Sequence, residues 1–446
     1  MMTGGLVFMC VLMALAGVAI SAVASLIPGL HIYNVIAITM TIVFGVFHFF
    51  EGMDPMVLTS FLIGLVVGFS LLFTISSQFF QPCDDSYRYI MLPHEKFLYE
   101  RRGHEAVVMG AIGSLVAILV IGVGFPTIGH YAAFFRDLLR PHLYWIVGAV
   151  IVFLLMTEWP KDPGTAPTPV SRLLDGWIPI CMGYVCFLLA SLLGMFIFYR
   201  TIIPTDATFQ SLMPVFVGLF AIPSQLLTLM AAVKNPPQHV CKTVELYGED
   251  VIRGSASGLV AGIFAGFTPA ITPGPALLLS GHATVTGGDR QFMIGGGAGR
   301  VMYYVGTLLF FFMPGVFLRR GGAAINISLV FIPETWAQFL TITGLIALTG
   351  AVSFVAVFGY SRLAIWIAKK INYKWISLFG MIVMIALVAY VTGWQGLLIL
   401  TVATIIGMIP NLWHTRRINL LACLLTPMCL NMSGYGSDVA RWLGLL

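Results

Sequence analysis

The sequence predicts an all-helical (all-α) integral membrane protein that crosses the bilayer many times, and three observations lead to this fold class. First, 59% of its 446 residues are hydrophobic and only 9% are charged, whereas about 25% of residues are charged in a typical soluble domain. Second, apolar runs near the roughly 20 residues that span a bilayer core recur from end to end. Third, proline and glycine interrupt two of these runs. We therefore expect about 10 to 12 transmembrane helices with two broken or re-entrant segments.

The apolar runs place the predicted spans in order along the chain. The first run begins near Leu6 with no basic region before it, so we interpret it as a retained span and not as a signal peptide. Segments 28–48 and 271–284 are the broken pieces. The predicted spans cover residues 5–27, 56–78, 105–126, 143–157, 174–198, 209–233, 252–270, 292–316, 335–358, 376–393, 394–410 and 417–434.

The first interruption is Pro28-Gly29, in the run ISAVASLIPGLHIYNVIAITM. Proline removes a backbone N–H donor and clashes with the preceding helical turn. In lipid, no water satisfies the backbone groups that the break frees, so such a break is tolerated where protein buries it or where it lines a cavity. The polar residues beside it are Ser25, His31, Tyr33 and Asn34.

The second interruption lies in GLVAGIFAGFTPAITPGPALLLSGH and contains Pro269, Pro273, Gly274 and Pro275. Paired breaks at corresponding positions of two halves indicate the substrate site of a transporter. A helix that restarts after a break presents unpaired N–H groups, which bind anions. The alternative is that the prolines kink two helices and the polar groups cap them. The polar side chains here are Thr268, Thr272, Ser280 and His282.

The order of these features predicts two structural repeats. A hydrophilic connector at 234–251 divides the chain into residues 1–240, a first membrane repeat with peripheral helices, and residues 241–446, a second membrane repeat. Each half opens with a span, a Pro/Gly break and a span rich in small residues, which permit close helix packing in lipid. The precedent of paired discontinuous helices favours inverted repeats.

Arg300, in IGGGAGRVMYYVG, is the most informative single charge. An arginine inside a span usually faces a cavity or a partner, and a guanidinium can bind an anion through two parallel hydrogen bonds. We expect Arg300 and His31 to contribute to one polar pocket. The alternative is that Arg300 snorkels to the membrane interface. The glycines before it permit close backbone approach but lack the spacing of a nucleotide-binding loop.

Two carboxylates, Glu51 and Asp54, lie between the first break and the next span. They are candidates for binding a coupling ion, either Na⁺ or a proton. The alternative is that both are solvated or cap the following helix.

Several other function classes lack support. The seven cysteines form no CxxC pair and mostly fall inside spans, where packing is their expected role. Neither an HExxH nor a GxSxG motif is present. We therefore expect no catalytic residue, no metal site, no cofactor and no enzymatic activity, and the modest net charge of +5 gives no indication of nucleic-acid binding.

Several segments, taken in order, resemble the large membrane subunit of the tripartite tricarboxylate transporter family, in its shorter, archaeal-type branch. SLIPGLHIYNV is similar to the family's Pro-Gly segment and the polar turn after it. The likeness covers most of the chain, and the order of the segments is its main support. The other segments are IMLPHEKFLYERRGHEAVVMGAIGS, GLFAIPSQLLTL, GLVAGIFAGFTPAITPGPA, FMIGGGAGR and HTRRINLLACLLTPMCL.

The resemblance implies an ion-coupled secondary transporter of an organic anion such as a carboxylate, in a prokaryotic cell (inner) membrane. The substrate would be held between two repeats at the broken segments. One departure is Pro269-Ala270, where the family usually has Pro-Gly, and this difference could alter the substrate. The residues that match the two motifs by position are Pro28, Gly29, His31 and Asn34, then Thr268, Pro269, Thr272 and Gly274.

A second hypothesis is a translocase (flippase) for a lipid-linked phosphate such as polyprenyl phosphate. Both hypotheses require a cationic or N–H-rich pocket, and they differ in whether that pocket opens sideways to lipid. The expected partners are therefore a small anionic substrate or a lipid-linked phosphate, together with membrane lipids. A homodimer is the assembly that we consider.

Overall fold

The protein is described by a computed structural model, and its regular secondary structure in the described ranges is helical throughout, as predicted. The structure describes residues 4–42, 52–80, 91–129, 131–158, 167–200, 202–203, 211–230, 236–284 and 287–446.

The helices alternate between long, span-length elements and short pieces. Short turns of other helix types adjoin some of them: π-helical turns at Val217–Ala221 and Met302–Gly306, and 3₁₀ turns at Arg140–His142 and Arg417–Leu421. The α-helices are α1 (Gly4–Ala24), α2 (Ile32–Ile42), α3 (Pro55–Phe79), α4 (Met91–Tyr99), α5 (Gly103–Ile128), α6 (Tyr131–Leu139), α7 (Leu143–Met156), α8 (Pro169–Tyr199), α9 (Leu212–Phe216), α10 (Ile222–Met230), α11 (Gly248–Phe267), α12 (Pro273–Thr284), α13 (Asp289–Val301), α14 (Thr307–Phe312), α15 (Gly321–Ile327), α16 (Trp336–Lys370), α17 (Tyr373–Leu412), α18 (Ala422–Ser433) and α19 (Gly436–Trp442).

Eight helical runs in the described part of the chain are long and apolar enough to cross a membrane. A ninth candidate is the bent pair Arg417–Ser433 and Gly436–Trp442, whose two parts meet at 115°. The chain is therefore an integral membrane protein with multiple spans, as the composition predicts.

The difference from the predicted 10 to 12 spans has a physical cause. The predicted spans 252–270 and 292–316 are largely helical, but their glycine, serine and charged residues make them less apolar than the others. In addition, α17 is one long helical run that bends at Gly393, where the backbone adopts φ +66°. That bend lies at the boundary that we predicted between spans 376–393 and 394–410.

Contacts group the chain into two compact units. The first unit comprises Met1–Leu138, Ala231–Phe267 and Thr272–Gly380. The second comprises Leu139–Met230, Thr268–Ile271 and Met381–Leu446. The two sequence repeats, 1–240 and 241–446, stay a prediction.

In the first unit, α3 is the most enclosed helix. Protein buries 94% of its most apolar stretch, with α1, α5 and α16 packed around it. Small residues permit the closest of these contacts, since a Cβ atom added at Gly64 would lie 1.8 Å from the carbonyl oxygen of Ala14. This packing positions the polar side chains that α3 contributes to the candidate site.

The glycine-rich α13 is packed between α5 and α11. A Cβ atom at Gly297 would lie 1.9 Å from the carbonyl oxygen of Gly110, and one at Gly258 would lie 2.2 Å from that of Gly295. The glycine run therefore serves close helix packing, as the sequence indicated. It positions Arg300, which lies in the last turn of α13.

In the second unit, α8 packs along α18, and α17 packs against the π-helical turn after α9. At Gly194 of α8, a Cβ atom would lie 2.0 Å from the carbonyl oxygen of Cys423. At Gly218 in the π-helical turn, it would lie 2.5 Å from the side chain of Ala403. Backbone-to-backbone packing through small residues is thus common to both units.

Candidate functional site

The first break has the backbone that its sequence predicts. Helix α1 ends at Ala24 and α2 begins at Ile32. Between them, Gly29 adopts φ +80°, in the left-handed region that glycine occupies without a steric penalty. The buried Ser25 hydroxyl donates to the carbonyl of Ala22 at 3.0 Å, which closes the end of α1.

His31 lies at the start of α2 and makes two hydrogen bonds through its ring. Its Nδ1 atom accepts from the backbone N–H of Tyr33 at 3.2 Å. Its Nε2 atom lies 2.9 Å from the hydroxyl oxygen of Tyr304. Because a backbone N–H can only donate, Nδ1 is unprotonated, and a neutral ring therefore donates from Nε2 to Tyr304. Asn34 is buried in the first turn of the same helix.

Arg300 lies at the end of α13 and is only 1% exposed. Its Nη2 atom donates to the hydroxyl of Thr74 on α3. Its guanidinium carbon lies 6.0 Å from the ring centroid of Phe73, a distance at which a cation is attracted to an aromatic face. The side chain is therefore held inside the protein.

An aromatic pair on α3 connects the surroundings of Arg300 and His31. The rings of Phe73 and Phe69 stack with their centroids 4.8 Å apart. Phe69 is in turn 6.2 Å from the ring of His31. His31 thus lies near one ring of this pair and Arg300 near the other.

A π-helical turn, Met302–Gly306, directly follows Arg300 and contains Tyr303 and Tyr304. Such insertions are rare and occur frequently at functional sites. The ring of Tyr304 lies 5.0 Å from that of Tyr303 and 5.9 Å from that of Tyr33, which packs against Gly322. Two further tyrosines, Tyr33 and Tyr303, therefore lie beside the bond between His31 and Tyr304.

The second break separates α11, which ends at Phe267, from α12, which begins at Pro273. Ala270 adopts φ +62° within it, so this alanine occupies the left-handed conformation that glycine favours. The resemblance led us to expect Pro-Gly at this position, and the backbone has the conformation of a glycine although the residue is an alanine. Thr268 is buried in the same break.

The polar residues near the start of α12 differ in their contacts. The Thr272 hydroxyl is buried and has no hydrogen-bond partner among the described residues. Ser280 instead bonds to Ser257 of α11, with its hydroxyl 2.9 Å from the Ser257 carbonyl oxygen. Gly274 is buried in the first turn, and the side chain of His282 lies outside the described part of the structure.

The two carboxylates that we considered for ion coupling lie at the start of α3. Asp54 is the N-cap of this helix and accepts from the backbone N–H of Met56 at 2.8 Å, in agreement with the capping alternative. Glu51 lies outside the described residues.

Sequence reasoning missed Thr74 and Tyr304, the two residues whose hydroxyls bond to Arg300 and His31. Both side chains are nearly fully buried, and each bonds to a residue more than 200 positions away in the chain. The only local signal for Tyr304 was its position four residues after Arg300, a charge inside an apolar run. Sequence reasoning also missed Arg320. Its Nε atom is buried and has no hydrogen-bond partner among the described residues. Burial lowers the pKa of its guanidinium.

Comparison with known proteins agrees with the predicted resemblance. The chain matches a family model described as the tripartite tricarboxylate transporter TctA family over residues 11–422. It is 23% identical over 424 residues to an uncharacterized protein of Methanocaldococcus jannaschii, a match that covers 93% of this chain and 96% of that protein. No solved structure matches it. Since the family model spans well over half of the sequence, the chain belongs to the tripartite tricarboxylate transporter TctA family.

Proposed function

We propose that the protein is an ion-coupled secondary transporter that moves a carboxylate-type organic anion across the membrane. Family membership makes it a multi-pass membrane component of a tricarboxylate transporter. Our finer proposal is that the anion is bound between the Pro/Gly-broken segments of two inverted repeats, residues 1–240 and 241–446.

The observation that carries this proposal is the hydrogen bond between His31 and Tyr304. It joins the first break to the helix that positions Arg300, four residues earlier. The Arg300 guanidinium and the hydroxyls of Tyr304 and Thr272 supply the donors that a carboxylate requires. Hydrogen bonds from these donors are electrostatically stronger in a buried, low-dielectric environment than in water.

Each side chain has a distinct proposed role. Arg300 supplies the positive charge, and charge-assisted hydrogen bonds are roughly twice as strong as neutral ones. Thr272 orients the anion by neutral donation, and His31 holds the Tyr304 hydroxyl, whose own proton can be donated to the anion. The buried Thr272 hydroxyl without a described partner supports this role.

The test is ligand-dependent thermal stabilisation of the purified full-length protein, because a ligand stabilises only the state that it binds. The panel contains dicarboxylates, tricarboxylates and polyprenyl phosphates. We expect a carboxylate to raise the melting temperature and Arg300→Gln to abolish that shift. The matched control is Arg253→Gln, since Arg253 is exposed on α11 and, among the described residues, forms an ion pair only with Glu249.

Two outcomes would contradict the proposal. A full carboxylate response in folded Arg300→Gln would exclude Arg300 from the site. Stabilisation by polyprenyl phosphate alone would favour the lipid-phosphate translocase. Uptake of the stabilising carboxylate into proteoliposomes then tests transport directly.

A further inference from the structure

A buried carboxylate that the sequence does not single out lies in the second unit. Glu158 follows α7 and is 6% exposed. It packs against Gly183, where an added Cβ atom would lie 3.3 Å from the carboxyl carbon of Glu158. Gly183 is near the middle of the 31-residue α8, which is a candidate membrane span. Glu158 therefore lies beside the centre of a helix that is about 46 Å long.

One oxygen of this carboxylate is fully engaged by a neighbouring segment. Oε1 accepts from the backbone N–H of Arg416 at 2.7 Å and from the side-chain amide of Asn419 at 3.0 Å. This segment joins α17 to α18 and is not α-helical. Irregular backbone at membrane depth is tolerated only where it is buried in protein or lines a cavity.

The other oxygen of Glu158 has no such support. Oε2 is buried and has no hydrogen-bond partner among the described residues. Among the described residues, no lysine, arginine or histidine forms an ion pair with Glu158. Arg417, on the neighbouring segment, donates to the hydroxyl of Ser224 at 2.9 Å. A buried carboxylate without a cationic partner carries a large desolvation cost.

Two more buried oxygen atoms in this segment are also unsatisfied. They are Oδ1 of Asn419 and Oγ1 of Thr415, in residues that are 1% and 7% exposed. Asn419 bonds directly to Glu158, and Thr415 precedes the residue whose N–H bonds to Glu158. One carboxylate, one amide oxygen and one hydroxyl oxygen are hard ligands. Their single negative charge matches a monovalent cation.

We infer that Glu158, Asn419 and Thr415 bind Na⁺, and that this ion is the one whose gradient drives transport. The second clause rests on the proposed function, whereas the binding of Na⁺ does not. The bound cation neutralises the buried carboxylate and satisfies three oxygen atoms that otherwise have no partner. The short run that starts at Arg417 brings Asn419 beside the middle of α8, where Glu158 also lies.

The experiment measures the melting temperature of the full-length protein without any anion, in NaCl or in choline chloride of equal ionic strength. The variants are Glu158→Gln and Thr415→Val. The second removes only an unpartnered hydroxyl and keeps the carboxylate, so it remains informative if Glu158→Gln folds poorly. The matched control is Asp175→Asn, an exposed carboxylate of α8 in the same unit.

We expect Na⁺ to stabilise the wild-type protein and Asp175→Asn. We expect Thr415→Val to bind Na⁺ at least ten-fold more weakly and Glu158→Gln to show no response. Equal melting temperatures in the two salts, or an undiminished Na⁺ response in both site variants, would overturn the assignment. A response to pH alone, without one to Na⁺, would overturn it in favour of a proton. Na⁺ binding without any carboxylate binding would leave this site standing while the proposed substrate failed.

Discussion

His31 Nε2 lies 2.9 Å from the hydroxyl oxygen of Tyr304, although 273 residues separate the two along the chain. The bond joins a backbone break in the first sequence half to a π-helical turn in the second. The turn begins two residues after Arg300, so one stretch of chain carries both the buried charge and the hydrogen-bond partner of His31.

Tyr304→Phe removes the hydroxyl that bonds to His31 and retains the ring. We expect the free energy of unfolding to fall by about 1 kcal/mol, the usual net contribution of a neutral hydrogen bond. We also expect anion affinity to fall, because His31 loses its orientation. The measurements are denaturant unfolding in detergent and ligand-dependent thermal shift, with Tyr303→Phe as the matched control. Equal losses in the two variants would show that the bond has no special role.

Thr74→Val removes a hydroxyl that accepts from the buried guanidinium of Arg300. Hydrogen bonds to charged groups contribute about 1.5–3 kcal/mol, so we expect destabilisation in that range. Thr401→Val is the control, since Thr401 is exposed on α17 and its hydroxyl bonds only to its own helix among described contacts. Chemical unfolding of both variants checks the difference, and a similar small loss in each would count against the contact.

Thr272→Val deletes a buried hydroxyl that has no partner among the described residues. Removing an unsatisfied polar group costs no folded-state hydrogen bond, so we expect an unchanged or slightly higher melting temperature. Anion binding should nevertheless weaken, and less than in Arg300→Gln. This combination separates a ligand-binding hydroxyl from a structural one. Unchanged carboxylate affinity in Thr272→Val would remove Thr272 from the site.

Ala270→Gly relieves the left-handed backbone of the second break. An alanine at φ +62° bears a steric penalty of about 1 kcal/mol, which glycine avoids. We therefore expect the variant to be more stable by roughly that amount. Ala283→Gly, at an exposed position of α12, should instead be less stable by about 1 kcal/mol. Melting temperatures that move in the same direction would contradict this explanation.

His94, on the short helix α4, is buried, and we therefore expect the stability of the protein to depend on pH. Burial lowers its pKa from 6.5 to about 3. Because the unfolded state binds the proton more readily, His94 contributes stability above pH 6.5, and this contribution is lost as the pH falls toward 3. We expect the free energy of unfolding, measured between pH 7 and pH 4, to change less steeply with pH in His94→Gln than in the wild type. His239→Gln, at an exposed loop position, should keep the wild-type slope.

Local composition was sufficient to predict the fold class, both breaks and a boundary between spans at residues 393 and 394, where α17 bends. Proline and left-handed glycine act on the backbone of their own neighbourhood, so their effects can be recognised from sequence. Arg300 could be singled out for the same reason, since a charge inside an apolar run is a local anomaly.

The partners of these residues could not be predicted in the same way. Thr74 and Tyr304 are ordinary residues of apolar helices, and their roles arise from pairing with distant segments. Glu158 directly follows the predicted span 143–157 and carries no local signal of burial, yet α8 and the segment before α18 bury it. Ser25, Asp54 and Ser280 were proposed as ligands, and the contacts described for each are with protein atoms.

The glycine contacts that join α13 to α5 and α11 also restrict how the protein can change conformation. These helices meet backbone to backbone at Gly297 and Gly258, so one cannot slide past another without driving main-chain atoms together. Such a group moves as a rigid body, and rearrangement concentrates where helices end. We therefore expect the breaks at 25–31 and 268–272 to act as hinges, so that a substrate bound at them, as proposed, would be released by the same motion that opens them.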